Sequence, residues 1–175
     1  WSIGIYTGDG PFVFTSPQGL SNPVLEADDV TDVPAHFVAD PFMIRQNSDW
    51  YMFFEVMNAN TNQGDIGLAV SSDGLTWAYD QIVLDEPFHL SYPQVFEWNG
   101  RYYMIPESYE AFSVRLYTAV NFPSEWAFVG RLLEGLYIDS SIVHYEGRWW
   151  LFAETNPIRG KNDTLRLFYS ESLTG

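Results

Sequence analysis

The chain has 175 residues, enough for one domain with its own core, and its 46% hydrophobic and 18% charged content suits a globular chain rather than a disordered one. Eight Lys and Arg against 23 Asp and Glu give a formal net charge of -15, a field that repels phosphate backbones and anionic lipid and so argues against nucleic acid or a membrane surface as partner. No stretch approaches the roughly 20 apolar residues of a bilayer span, and with no Cys there is no disulfide, thiolate nucleophile or Cys-based metal site.

Taken in chain order, Trp1 to Tyr6 reads as a closing strand, and residues 1–35 as that strand with its lead-in. Three segments then align without gaps: Ala39 to Glu55, Ser91 to Glu107 and Ile138 to Glu154, whose starts lie 52 and 47 residues apart. That spacing is close to the period of about 40–50 residues per propeller blade. Each segment predicts a strand, a tight turn and a second strand, with turns at Asn47-Ser48-Asp49, Asn99-Gly100 and Glu146-Gly147. Asn-Gly tolerates positive φ at both residues, which is what a two-residue hairpin needs. Third strands are expected at 66–70, 114–118 and 165–169, and fourth strands around 78–79 and 127–129. Blades are therefore expected over 36–85, 86–134 and, in part, 135–175. The fold is all-β, a β-propeller with about three blades present. Starting at Trp1 rather than Met and stopping inside a repeat, the chain is expected to be a piece of a longer protein. Further C-terminal blades would be its first partner. No signal-peptide pattern is visible, and the compartment stays open.

In a propeller the residue opening the innermost strand and the one ending the next strand meet at the same end of the channel. These positions are Asp40 with Glu55, Tyr92 with Glu107, and Asp139 with Glu154. Five of the six are acidic, so a ring of carboxylates is expected at one mouth. Crowded carboxylates repel one another and keep some protons, the division that glycoside hydrolysis uses between a protonated acid and an ionised base or nucleophile. Asp40, Glu107 and Asp139 are the catalytic candidates. The bland alternative for Asp40 is a turn before Pro41, and for the Glu residues a bond to backbone N–H between blades. Tyr92, standing where its counterparts are Asp, is the candidate ring for a sugar. His36 and His89 precede their first strands by a few residues and are candidates to reach the mouth. Gln94, Glu55 and Glu154 complete the proposed substrate contacts. Arg115 and Arg166 are expected to pair with carboxylates, His144 to lie on the surface, and Trp77, Trp126, Trp149, Trp150, Tyr102 and Tyr103 to be core. No cofactor is required; Ca²⁺ is the ion that such oxygen ligands would suit.

Asp-Pro opening a blade, the aromatic hairpins and Gly67-Leu68-Ala69-Val70-Ser71-Ser72-Asp73-Gly74-Leu75-Thr76-Trp77 resemble the propellers of glycoside hydrolase family 43 and its relatives. A closer likeness, to the N-terminal domain of glucosamine inositolphosphorylceramide transferases and bacterial relatives, rests on Ala39-Asp40-Pro41-Phe42, Tyr92-Pro93-Gln94-Val95-Phe96, Met104-Ile105-Pro106-Glu107 and Gly147-Arg148-Trp149-Trp150-Leu151-Phe152. The resemblance implies a five-bladed propeller. It assigns Asp40 to the family 43 base but puts Gln94 where that family has its modulating Asp. Registered on the hairpin glycine, it puts Ile138, one residue before Asp139, in the place of the acidic Glu. Two catalytic positions of three depart. The functional expectation is a domain acting on a glycan or glycoconjugate, either hydrolase-like or associated with glycosyl transfer. The alternative is a non-catalytic sugar-recognition domain of a glycosyltransferase.

Overall fold

A computed structural model describes residues 1–155 and 164–175. A short hairpin, β1 (Thr7–Gly10) with β2 (Val13–Thr15), precedes three antiparallel sheets. The first holds β3 (Ala35–Gln46), β4 (Asp49–Asn58), β5 (Gln63–Ser71) and β6 (Ala78–Leu84) in sequence order. The second holds β7 (Ser91–Trp98), β8 (Arg101–Glu107), β9 (Ser113–Asn121) and β10 (Glu125–Glu134), and the third β11 (Tyr137–Tyr145), β12 (Arg148–Thr155) and β13 (Thr164–Ser170). In every sheet consecutive strands pair in simple up-and-down order. At Asn99-Gly100 both residues take positive φ (51° and 73°), as do Glu146-Gly147 (49° and 76°).

The sheets stack through their faces, and side-chain alternation decides which face each residue serves. On β4, Met52, Phe54 and Val56 pack with Ile3, Ile5 and Leu25 of the N-terminal segment, whereas Phe53 turns the other way. It joins Ile66, Leu68, Leu90, Met104 and Tyr117 between the first two sheets. On β8, Met104 faces back and Ile105 faces forward, to Leu116, Ile142, Trp149 and Leu151. The continuous apolar runs of these strands thus serve two cores at once.

Within Trp1–Tyr6, Ile3 makes a single bridge to Leu25 and is buried with Ile5 against the first sheet. Two expectations are corrected. His144 is half-buried, its ring 4.4 Å from that of Trp98 and 5.0 Å from that of Trp149. Arg115 makes no ion pair with a described carboxylate; its guanidinium lies over Phe88 and Phe128, at 4.6 and 4.8 Å. Trp77 and Trp126 are core-facing, and each indole N–H donates to the carbonyl three residues back, of Gly74 and Pro123. The Asp73 carboxylate accepts backbone N–H bonds from Leu75 and Thr76, which closes that turn and holds its pKa at about 2.

Candidate functional site

The first strand of every sheet breaks its ladder at the same place. Ala39 pairs with Glu55 and Phe42 with Phe53, so one extra residue is fitted into β3. The same shift separates Ser91/Glu107 from Gln94/Ile105, and Ile138/Glu154 from Ser141/Phe152. Each bulge contains one residue at positive φ: Asp40 (52°), Tyr92 (45°) and Asp139 (47°). These are the three positions that open the aligned repeats. Asp tolerates the left-handed region better than most side chains, whereas Tyr there is strained. A bulge re-aims a side chain, and here it offsets each opening residue by one from the Glu at the end of the neighbouring strand.

Asp40, Glu55, Glu107 and Asp139 form one electrostatic cluster. Glu55 is 5% exposed, and burial, then the charges of Asp40 and Asp139, push its pKa up to about 7. Burial also raises Asp40, helped by Asp139 and opposed by the backbone N–H of Tyr92, which bonds its carboxylate. Glu107 is 7% exposed and is driven upward by burial and by a side-chain hydrogen bond with Asp139. Its Oε2 also accepts the Asp139 backbone N–H at 3.2 Å. Glu55 and Glu107 therefore keep protons to a higher pH than ordinary carboxyls do. The bond from the Asp139 N–H to Glu107 crosses from the third sheet to the second, as the bland reading of the Glu residues anticipated for Glu107.

His89 belongs to this cluster. Its Nδ1 accepts the Gly64 N–H at 2.9 Å, which leaves the ring proton on Nε2, and Nε2 faces Glu55 Oε1 at 3.5 Å. Burial lowers its pKa, against the pull of Glu110 and Asp40, so the ring is neutral at pH 7. Gly64 was not singled out from sequence. A Cβ there would lie 2.2 Å from the Leu90 carbonyl oxygen and 2.9 Å from His89 Cε1. A glycine inside a strand was the available signal of such an approach.

Tyr92 spans neighbouring blades: its ring meets Phe42 edge-on at 4.8 Å, and Ser141 Oγ donates to its hydroxyl at 3.4 Å. Gln94 has different work from that expected. Its Oε1 accepts the Ile142 N–H at 2.6 Å, and its Nε2 donates to the Ile142 carbonyl at 2.9 Å, so the carboxamide is committed to the backbone of the third sheet. His36 is exposed and lies 3.3 Å from Asn62 Oδ1, away from the cluster. Glu154 pairs opposite Ile138 in the ladder and is not among the charges acting on Glu55 or Glu107. Sequence reasoning missed the role of the N-terminal segment, which walls an open cleft of about 330 Å³ beside Asp40 and Glu55 with Trp1 to Gly4. Among the described residues, no three His, Asp or Glu are arranged to hold a metal ion, and no helix is long and apolar enough to cross a membrane.

Comparison with known proteins adds two findings. The sequence family described as "Glucosamine inositolphosphorylceramide transferase 1, N-terminal" matches residues 1–175. Glucosamine inositolphosphorylceramide transferase 1 of Arabidopsis thaliana is 42% identical over 192 aligned residues, which cover 100% of this chain and 25% of the relative. The chain thus spans about a quarter of the length of that plant protein. Among solved structures, a putative glycoside hydrolase from Bacteroides ovatus superposes with a TM-score of 0.67 at 16% identity, over 82% of this chain and 53% of that one. An alpha-L-arabinanase of Cellvibrio cellulosa, in complex with arabinohexaose, gives a TM-score of 0.59 at 16% identity, over 79% and 54%. At such identities the likeness is one of fold: an all-β propeller architecture.

Proposed function

Because the chain belongs to the family of the N-terminal region of glucosamine inositolphosphorylceramide transferase 1, we propose that this glycosyltransferase-associated domain holds a saccharide of a glycan or glycoconjugate at the Asp40–Glu55–Glu107–Asp139 mouth. The observation that carries this reading is the meeting of four carboxyl groups from three sheets, with Glu55 and Glu107 buried at strand ends. Glu55 and Glu107, pushed up to about 7 and about 8, retain protons near neutrality and donate, and carboxyl oxygens of the cluster accept, so sugar hydroxyls meet both kinds of partner. His89 Nε2–H adds a neutral donor beside Glu55. Tyr92 supplies a ring at the axis, and the cleft beside Asp40 and Glu55 is wide enough for a sugar unit. The relatives named as transferases suggest glucosamine or its inositol-linked acceptor as the first ligands to try.

A second reading is catalytic. Glu107 would be the acid, and Asp40 a base or electrostatic stabiliser, on the pattern of paired carboxylates in glycoside hydrolysis. Commitment of Gln94 to the Ile142 backbone, at the place of the family 43 modulator, favours recognition over this chemistry.

The test uses the full-length protein, titrated calorimetrically with glucosamine and assayed for sugar release from a glycan panel, as wild type and Asp40→Asn. Recognition predicts saccharide binding that falls at least about tenfold in Asp40→Asn, with no release by either protein. Release by wild type that disappears in a folded Asp40→Asn would replace recognition by hydrolysis.

A further inference from the structure

The turn between β8 and β9 follows directly on Glu107 and presents two aromatic rings, Tyr109 and Phe112, to solvent. Phe112 is 65% exposed and has φ 52°, a left-handed backbone that a bulky residue adopts at a cost. A glycine would make this turn without strain, so the turn alone does not explain the ring. An apolar ring held in solvent by a strained backbone needs a reason beyond folding.

The turn is also rigid. Ser108 and Ser113, both 1% exposed, brace its base, with Ser108 Oγ donating to the Ser113 carbonyl at 2.8 Å and Ser113 Oγ to that of Ala111 at 3.1 Å. The Phe112 N–H donates to the Tyr109 carbonyl, and the Phe112 carbonyl accepts the Gly135 N–H, each at 2.8 Å, which ties the turn to the start of the third sheet. The same turn reaches into the acidic cluster. Glu110 Oε2 accepts the His89 N–H at 2.9 Å, and the charges of Glu110 and Glu107 both bear on the Tyr109 hydroxyl. The backbone carrying Tyr109 and Phe112 is thus braced beside the mouth before any ligand arrives.

We propose that Tyr109 and Phe112 form a rim subsite that stacks the apolar face of a second sugar unit, next to the one held by the carboxylates. This deepens the saccharide reading of the mouth and rests on it. A sugar ring has two chemistries, hydroxyls around its edge and C–H groups on its faces. The mouth offers carboxyls for the first, and the rim offers flat apolar rings for the second. Two rings on one five-residue turn are too small for a protein interface, which needs about 1,000 Å². Because the turn is already braced, stacking adds affinity without the loss of loop freedom that a flexible platform would incur.

The experiment is calorimetric titration of the full-length protein with glucosamine and with its β-1,4-linked disaccharide, comparing wild type, Phe112→Gly, Phe112→Tyr, Tyr109→Ala and Asp40→Asn. Phe112→Gly removes the ring while relieving the left-handed backbone, so lost affinity is not lost folding. The proposal expects disaccharide affinity to fall roughly tenfold in Phe112→Gly and Tyr109→Ala, monosaccharide affinity to stay within about twofold, and Phe112→Tyr to behave as wild type. Asp40→Asn should weaken both ligands. Unchanged disaccharide binding in Phe112→Gly, with Asp40→Asn still impaired, overturns the rim and leaves the mouth. Equal losses for both sugars in Phe112→Gly also overturn the rim as a second subsite. An Asp40→Asn that binds both sugars like wild type overturns the mouth reading, and wild type that binds neither overturns both.

Discussion

Removing the Gln94 carboxamide should loosen the third sheet at one identifiable amide. Ile142 is 7% exposed, and its N–H and carbonyl on the edge of β11 are both satisfied by Gln94, at 2.6 and 2.9 Å. Each such bond contributes about 1 kcal/mol net, and stranding its buried partner costs at least as much. Gln94→Ala should therefore lower the local opening free energy at Ile142 by about 2 kcal/mol, which corresponds to roughly 30-fold faster amide exchange. Hydrogen–deuterium exchange of the full-length protein, read on a peptide spanning residues 138–145, measures this directly. A peptide over residues 65–70 in the first sheet is the internal control and should not change. Gln94→Glu separates the two halves of the contact. It keeps an acceptor for the Ile142 N–H but turns a carboxylate oxygen toward the Ile142 carbonyl, so protection should survive in acid and fall as that carboxyl ionises. If Ile142 exchange in Gln94→Ala stays within twofold of wild type, the two bonds do not hold the sheets together, and the case for Gln94 as a structural residue fails.

Two further outcomes follow from the cluster. Glu55 ionises at about 7 in the folded chain against an ordinary 4.5, so the folded state holds more protons than the unfolded one between these values. Its stabilising contribution is complete below about pH 4.5 and is lost as pH rises through 7; with water at the open mouth allowed for, the loss is about 2 kcal/mol. Thermal melting at pH 5 and pH 8 should show this loss together with that of Glu107, which is raised to about 8, and Glu55→Gln should make the pH dependence shallower by the Glu55 share; a variant with the wild-type pH dependence would disprove the assignment. Gly64→Ala should cost about 1–3 kcal/mol, because its Cβ meets a backbone oxygen at 2.2 Å that no rotamer change can clear. Melting of Gly64→Ala at the wild-type temperature would contradict the close approach of β5 to the His89 loop.

Much of the fold was legible because its signals are local. Asn99-Gly100 and Glu146-Gly147 mark hairpins, and the apolar runs of β4 and β8 mark strands buried on both faces. Recurrence at one register located Asp40, Glu55, Glu107 and Asp139 before any contact was known. The bulges were not legible, since an extra residue present in every repeat leaves a gapless alignment gapless. Gln94 misled because an amide that bonds the backbone 48 residues away looks the same in sequence as one that bonds a ligand. His36 and His89 look alike in sequence, but β3 starts at Ala35 and includes His36, whereas His89 lies in the loop before β7 and accepts the Gly64 N–H, distant in sequence. The N-terminal hairpin escaped notice because each of its strands is short and pairs only with the other.

The bulge that recurs in every innermost strand has a consequence for how such a mouth changes over generations. At Asp40, Tyr92 and Asp139 the strand has already given up regular pairing with its neighbour. Exchanging the residue there alters what faces the channel while the hydrogen-bonded ladders on either side stay in register. One blade already carries a phenol where two carry carboxylates, on the same backbone conformation. The architecture thus separates its inheritance into two parts: a frame that tolerates little, and three interchangeable positions through which a lineage can exchange one ligand for another.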